Sequence, residues 1–364
     1  MRIALVHDSL TQLGGAERVV DSFHDIYPNA PLFVLVFDKK LKPYFADFKV
    51  ISSPLQYLYS IIPRLQYYLP FVPCALRQFD FKEFDVILSS SSAWAKGIRV
   101  PKNTVHINYC HTPARFLWLE EKSYVGDELP LWLQPGKYVL RAMLAGFRAW
   151  DYKAAQRVDF FIANSETTRK RIERYYHRTS VVIPPYVDTG MFYPTVDKEN
   201  YFLLAGRLQH HKRADIVIHA FNKLKLSLKI AGSGRALEKL RKIAGPTIEF
   251  LGRVDDDELR DLYSGAKALL YPQEEDFGIM PLEAMACGTP VIAYGKGGAL
   301  ETIVPDVTGV FFESQTPESV IDAIGRFQQM HFSSEDMFDR AQEFSKGKFE
   351  RQIREFVEYH ATRD

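Results

Sequence analysis

The sequence predicts an α/β protein built from two doubly wound parallel sheets, on three observations. Short apolar runs of strand length recur along the chain, separated by helical or irregular stretches long enough for right-handed crossovers. The series breaks after Ile183 at PPYVDTGMFYPTVDKEN, which is rich in Pro, Gly, Asp and Thr, lacks hydrophobic periodicity and reads as a linker. The 364 residues suffice for two domains at about 100 to 200 residues each. The expected boundaries are 1–184 for the first domain, 185–198 for the linker and 199–345 for the second, with a last helix over about 346–364 returning to the first.

Composition narrows the class. Hydrophobic residues make up 46% and charged residues 25%, the balance of a soluble globular chain. With 46 Lys+Arg against 45 Asp+Glu, nothing in the charge balance asks for a nucleic-acid partner. Cys74, Cys110 and Cys287 are far apart and free of CxxC spacing, so neither a disulfide framework nor a zinc site is expected, and a reducing cytoplasm fits. MRIALVHDSL reads as a buried strand and not a signal peptide. No stretch of about 18 apolar residues suggests a membrane span.

In order, Arg2–His7 is the first strand. The pair Gly14–Gly15 then opens a helix whose Ala16, Val19, Val20, Phe23 and Ile26 share one face, and the glycines let backbone approach a ligand at its N-terminus. Further strands are expected at Leu32–Phe37, Asp85–Ser89, Thr104–Cys110, Asp159–Ala163 and Ser180–Ile183. Ligands of such sheets bind beyond the carboxyl ends of the strands, where His111 falls. Two stretches, Ile51–Phe81 and Trp132–Trp150, crowd aromatic and aliphatic residues with Arg64, Arg77, Lys137, Arg141 and Arg148. They read either as core-facing helices or as surface for a membrane interface or an acceptor.

The second sheet is expected at Phe202–Ala205, Ser227–Ala231, Thr247–Leu251, Ala268–Tyr271, Val291–Ala293 and Val310–Phe312. Its first strand runs into AGRLQHHKRAD, placing Arg207 and Lys212 before a helix. Two cations at a helix N-terminus suit a diphosphate, and a solvated basic loop is the plain alternative. AGSGRALE lacks the third glycine and the ribose-binding acid of a dinucleotide fingerprint, so NAD is not expected. In VDDDELRDLY, Asp255 with Glu258 reads as a helix capping box and not a metal site.

YPQEEDFGIMPLEAMACGTPVIAY, from Tyr271 to Tyr294, reads as strand, loop, helix and strand. The helix is expected to open at Pro281 with Glu283 in its first turn. Glu275 lies in the loop, so two carboxylates flank the backbone amides of Phe277, Gly278, Ile279 and Met280. Such amides attract phosphate, and carboxylates accept hydrogen bonds from vicinal hydroxyls.

The spacing from Glu275 to Glu283 and the AMACGTPVIA flank resemble the E-x7-E motif of the retaining nucleotide-sugar glycosyltransferases of family 4, group 1. GGAER after the first strand resembles that family's N-lobe loop, and the resemblance extends over nearly the whole chain. It implies the GT-B fold, two Rossmann-like domains facing a central cleft, and transfer of a sugar without a cofactor or metal. By the same resemblance Arg207 and Lys212 hold the leaving diphosphate, Glu283 the ribose and Glu275 the donor sugar. His111 contacts the sugar, while Gly14, Gly15 and Arg253 join the amides of 277–280 in donor binding. CHTPARFLW looks most like bacterial mannosyltransferases that build cell-surface polysaccharide from GDP-mannose. That implies a polyprenyl-linked or oligosaccharide acceptor and an anionic membrane surface on the cytoplasmic face. An epimerase or hydrolase of similar fold and a non-catalytic sugar-nucleotide-binding protein are the rival readings.

Overall fold

The computed structural model describes residues 1–119 and 134–361, so Trp132 and the Lys137 side chain lie outside the described residues. The chain divides into two compact units, Met1–Pro184 with the chain end from Glu350, and Pro185–Phe349.

In the first unit the strands are β1 (Ile3–His7), β2 (Leu32–Val34), β3 (Val50–Ser52), β4 (Val86–Ser91), β5 (Val105–Cys110), β6 (Phe160–Ala163) and β7 (Val181–Val182). They form one parallel sheet in the order β3-β2-β1-β4-β5-β6-β7. β1, β4 and β5 are buried at every position, as expected of central strands covered on both faces. The helices are α1 (Gly15–Ile26), α2 (Leu55–Ile61), α3 (Val72–Leu76), α4 (Arg115–Trp118), α5 (Gln134–Ala155) and α6 (Glu166–Tyr176). The far end of the chain packs on this unit. Ser22 donates to Glu350 at 3.2 Å, and Phe160 stacks on His360 with ring centres 3.9 Å apart.

β3 was not anticipated. It is a three-residue edge strand whose Val50 and Ile51 are only partly buried, so the run is too short to carry a period. The Ile51–Phe81 stretch resolves into both of its readings. Leu55, Tyr59, Tyr68, Val72, Leu76, Phe79 and Phe81 enter the core, while Tyr57, Leu58, Ile61, Ile62, Tyr67 and Phe71 stay exposed. In α5, Leu144 is buried, and Phe147 and Trp150 turn toward Trp94 with ring centres 5.8 Å away.

The second unit holds β8 (Phe202–Ala205), β9 (Leu228–Ala231), β10 (Ile248–Gly252), β11 (Leu269–Tyr271), β12 (Val291–Tyr294) and β13 (Gly309–Phe312), in the order β10-β9-β8-β11-β12-β13. Its helices are α7 (Ala214–Leu224), α8 (Leu237–Ile243), α9 (Asp256–Gly265), α10 (Ile279–Ala286), α11 (Ala299–Thr302), α12 (Pro317–Phe327) and α13 (Ser334–Gln342); α14 (Lys346–Ala361) follows. Strand residues alternate between two apolar layers. Phe202, Leu204, Leu270 and Ile292 face one layer, and Leu203, Ala205, Leu269 and Val291 the other, as the period of two requires. Residues 185–198 belong to this unit, because Phe192 is fully buried in it and the Val187 amide bonds the Phe344 carbonyl at 2.9 Å.

His106 on β5 is fully buried, with Nε2 2.8 Å from the Ser89 hydroxyl. Burial pushes its pKa down to about 4, against the opposing pull of Asp159. The unfolded chain therefore takes up this proton first, and stability is lost as pH falls below the ordinary histidine value toward 4. Urea unfolding should show the wild type losing about 1 kcal/mol more per pH unit than His106→Asn between pH 6.5 and 5. Parallel curves for the two proteins would remove His106 as the cause.

Candidate functional site

In a doubly wound sheet the strand order reverses at one place, and the loops leaving the two strands there diverge to open a crevice. In the second unit that place lies between β8 and β11. The loop after β8 carries Arg207, exposed, and Lys212, which ends a short 3-10 turn before α7. The loop after β11 carries Glu275. Lys212 and Glu275 form an ion pair, so the two loops named for diphosphate and sugar meet.

Both loops are held by glycine. A Cβ on Gly232 would fall 1.9 Å from the Gly206 carbonyl oxygen, and one on Gly234 would fall 2.2 Å from that of Leu208. Gly232 also has φ +149°, a region that disfavours side chains. The AGSG run thus packs backbone to backbone under the Arg207 loop, joined by Gly206 N–H to Ala231 O at 2.9 Å and Leu208 N–H to Ser233 O at 2.9 Å. Gly297 and Gly298 do the same for the other loop. The Gly298 amide donates to the Glu275 carbonyl at 2.8 Å, and a Cβ there would strike Phe277 at 2.1 Å. The signal for these four supports was the pair of short glycine runs, AGSG and GKGG, each directly after a strand.

α10 opens earlier than expected, at Ile279 and not Pro281. Gly278 caps it with φ +87°, a conformation suited to glycine, and a Cβ there would sit 2.6 Å from the Tyr271 hydroxyl. Pro281 becomes the third helical residue, still within the first turn where its missing N–H costs nothing. Glu283 is consequently the fifth residue and lies beyond the first turn. It is 5% exposed and accepts from the buried Tyr263 hydroxyl at 3.2 Å. Surface dipole compensation does not describe it. Phe277 is buried, and Ile279 and Met280 head the helix. Arg253 is exposed beyond the edge strand β10, two strands away from β8. Asp255 caps α9 reciprocally with Glu258, with bonds of 2.9 and 3.2 Å.

In the first unit the strand order reverses between β1 and β4. Gly14 caps α1 and Gly15 is its first residue. The carboxylate of Asp8, just past β1, accepts from the amides of Ser92, Ala93, Trp94 and Ala95 at 2.6–2.8 Å. His111, the first residue after β5, has Nε2 2.8 Å from the Ser90 hydroxyl, and its carbonyl accepts from Thr168 at 3.1 Å. Burial foremost, then His7, pushes its pKa down to about 3, with Asp8 opposing. The imidazole is neutral throughout the working range. His7, Glu17 and Ser90 gather beside it and were not singled out in the sequence, because a histidine and a serine inside hydrophobic strands carry no spacing motif.

Two parallel-sheet units with these strand orders make up the GT-B fold. Solved structures share the fold. Sucrose-phosphate synthase from Thermosynechococcus elongatus aligns with TM-score 0.76 and 18% identity over 99% of each chain. HepE of Anabaena, solved in complex with UDP-glucose, aligns with TM-score 0.72 and 18% identity over 99% of this chain and 100% of its own. Residues 13–190 match the family model for Glycosyltransferase Family 4, and residues 192–344 that for Glycosyl transferases group 1. The chain belongs to the family 4, group 1 glycosyltransferases. An uncharacterized glycosyltransferase of Methanocaldococcus jannaschii is 35% identical over 140 residues, 36% of each chain. The chain spans about a third to three fifths of the length of the curated relatives it matches.

The backbone packing beneath the Arg207 loop gives a direct test. Gly232→Ala must relieve both a steric contact and an unfavourable φ, which should cost about 1 to 3 kcal/mol in urea unfolding. Gly252→Ala, at φ +78° but with nothing within 4 Å of its Cβ, separates the two causes. A loss for Gly232→Ala no larger than for Gly252→Ala would show that the contact with Gly206 is not tight.

Proposed function

We propose that this protein transfers a hexose from a nucleotide-sugar donor to a saccharide or lipid-linked acceptor, with retention of anomeric configuration. The observation that carries the reading is the meeting of the Arg207–Lys212 and Glu275 loops at the strand-order reversal of the second sheet. Arg207 and Lys212 neutralise charge on the departing diphosphate as the anomeric C–O bond breaks, the kind of stabilisation that grows toward the transition state. The acceptor oxygen bonds to the same carbon, and its proton passes to the released phosphate oxygen. Asp8, whose carboxylate is engaged by four backbone amides, is not suited to act as a nucleophile, which supports this front-face course over double displacement. Glu275 takes the sugar hydroxyls and Glu283 the ribose, and the family resemblance assigns His111 to the sugar as well.

Arg207→Ala or Lys212→Ala should lower kcat/KM roughly ten- to a hundred-fold, for loss of a charge-assisted contact of about 1.5 to 3 kcal/mol. Chelator should leave turnover unchanged, and loss restored by magnesium or manganese would overturn the metal-free reading. The glutamates separate by titration calorimetry. Glu283→Gln should weaken donor and free diphosphate alike, by about 1.5 to 3 kcal/mol. Glu275→Gln should spare the diphosphate, since it leaves Lys212 with fewer competing contacts, while lowering turnover. Equal losses for both ligands in Glu275→Gln would refute its assignment to the sugar.

The finer donor reading is GDP-mannose, supported by the likeness of CHTPARFLW to bacterial mannosyltransferases. Product formation across a panel of GDP- and UDP-hexoses, with the anomer read by NMR, tests donor and stereochemistry together. We assign the exposed Tyr57, Leu58, Ile61, Ile62, Tyr67 and Phe71, with exposed Arg64 and Arg77 among them, to peripheral contact with an anionic membrane carrying a lipid-linked acceptor. No described helix is long and apolar enough to cross a membrane. Co-sedimentation with anionic vesicles should weaken with salt and fall in Tyr57→Ser/Ile61→Ser. Absence of vesicle binding at low salt would return the patch to an ordinary protein surface.

A further inference from the structure

We infer that Ser90, backed by His7, is a latch that fixes His111 in a single tautomer with its only hydrogen on Nδ1. The consequence for transfer rests on the reading of His111 given above; the latch itself does not. His7 Nδ1 lies 3.2 Å from the Ser90 carbonyl oxygen and 3.1 Å from the Ser90 hydroxyl oxygen. A carbonyl oxygen only accepts, so Nδ1 of His7 carries the hydrogen and points it at Ser90. The serine hydroxyl is thereby approached by a donor on one side, and its single hydrogen is directed to the other, where Nε2 of His111 lies 2.8 Å away. Nε2 of His111 must then accept. A neutral imidazole that accepts at Nε2 carries its hydrogen at Nδ1.

The backing of the latch is also built. Ser90 is fully buried and His7 is 3% exposed, so neither turns to solvent for another partner. Nε2 of His7 faces the buried Glu17 carboxylate at 3.7 Å, beyond hydrogen-bond reach, whereas Nδ1 lies within reach of both Ser90 oxygens, so the ring hydrogen stays directed at Ser90. Glu17 is the third residue of α1, and its other oxygen would lie 3.2 Å from a Cβ on Gly14. A glycine at 14 leaves that carboxylate its room. This gives the GGAE run a reason beyond backbone access, for it brings Glu17 against the histidine that sets the serine. His111 itself is held at its carbonyl by Thr168 and edge-on to Tyr109, ring centres 5.2 Å apart. A ring so latched can only donate from Nδ1. The ligand group it selects is therefore an acceptor, a sugar hydroxyl oxygen or a phosphate oxygen, and never a bare N–H.

His7 and Ser90 are positioning residues, and the test reads the ring directly. Long-range ¹H–¹⁵N spectra of the unliganded protein, with His111 assigned by its loss in His111→Asn, should show Nε2 unprotonated and Nδ1 protonated. Ser90→Ala should lose this single-tautomer pattern and lower kcat roughly ten-fold or more, the order expected of a misplaced reacting group, with donor KM little changed. In His7→Asn the side-chain amide nitrogen stands where Nδ1 stood, so this variant should keep the pattern and most of the kcat. His7→Leu should lose both. A protonated Nε2 on His111 in the wild type, or an unchanged pattern in Ser90→Ala, would overturn the latch. The expected pattern together with a His111→Ala enzyme of full activity would support the latch and overturn only the reading of His111 in transfer.

Discussion

One carboxylate fixes the strand-end face of the first unit. Asp8 leaves β1 and accepts four successive backbone amides from the turn that leaves β4. Amides at the start of a turn have no partner within it, and hydrogen bonds to an ionised acceptor are stronger than neutral ones. The exits of the two strands between which the sheet order reverses are therefore tied together. From below, the same turn is gripped by Lys96, which donates to the Ala93 carbonyl at 2.6 Å and pairs with Asp151 at 2.6 Å, both side chains essentially inaccessible. Asp151 also accepts from Trp118 and Tyr176, at 2.8 Å each, joining α4, α5 and α6 to one centre. A buried pair of this kind needs further hydrogen bonds beside it, and Ala93, Trp118 and Tyr176 supply them. Ser90 precedes the clamped turn and His111 precedes α4, so the latch inherits its rigidity from this network.

The second unit reaches a similar end by different means. Its two loops are set by glycines that let backbone rest on backbone at distances no side chain would allow. A loop supported in this way has few alternative positions, so its charged side chains start from a fixed base. The arrangement also explains why a run that looks like a broken dinucleotide fingerprint persists in AGSG. Its glycines serve the approach of the Gly206–Leu208 segment.

Much of this was legible in the sequence, because central parallel strands must be apolar on both faces. β1, β5 and β8 to β13 all fall within the expected runs or a residue of them, β4 runs two residues past its expected end, and the Asp255–Glu258 capping box reads from its spacing alone. The edge strand β3 escaped, since a three-residue run half exposed to solvent has no pattern to reveal. The start of α10 was misread because proline is a conspicuous first-turn residue, whereas the deciding fact is the Tyr271 hydroxyl beneath Gly278, a contact between residues of two elements. Burial of Glu283 follows from that two-residue shift. His7, Ser90 and Glu17 were invisible for a related reason. Their meeting depends on the register of β1 against β4, which pairs His7 with Ser90, and no single stretch of sequence states a register.

The Lys212–Glu275 pair gives the second unit a property that neither residue has alone. A lysine waiting for a diphosphate repels other cations and is costly to desolvate, and a glutamate beside an incoming diphosphate repels it. Paired, each offsets the other's charge at 19% and 24% exposure, so the loops can lie close before any ligand arrives. A nucleotide sugar brings both complements at once, phosphate oxygens for the ammonium and hydroxyls for the carboxylate. A free diphosphate brings only the first and must compete with Glu275 for Lys212. If the proposed roles hold, the pair would favour the intact donor over its own leaving group, a discrimination that arises from mutual neutralisation and needs no additional contact.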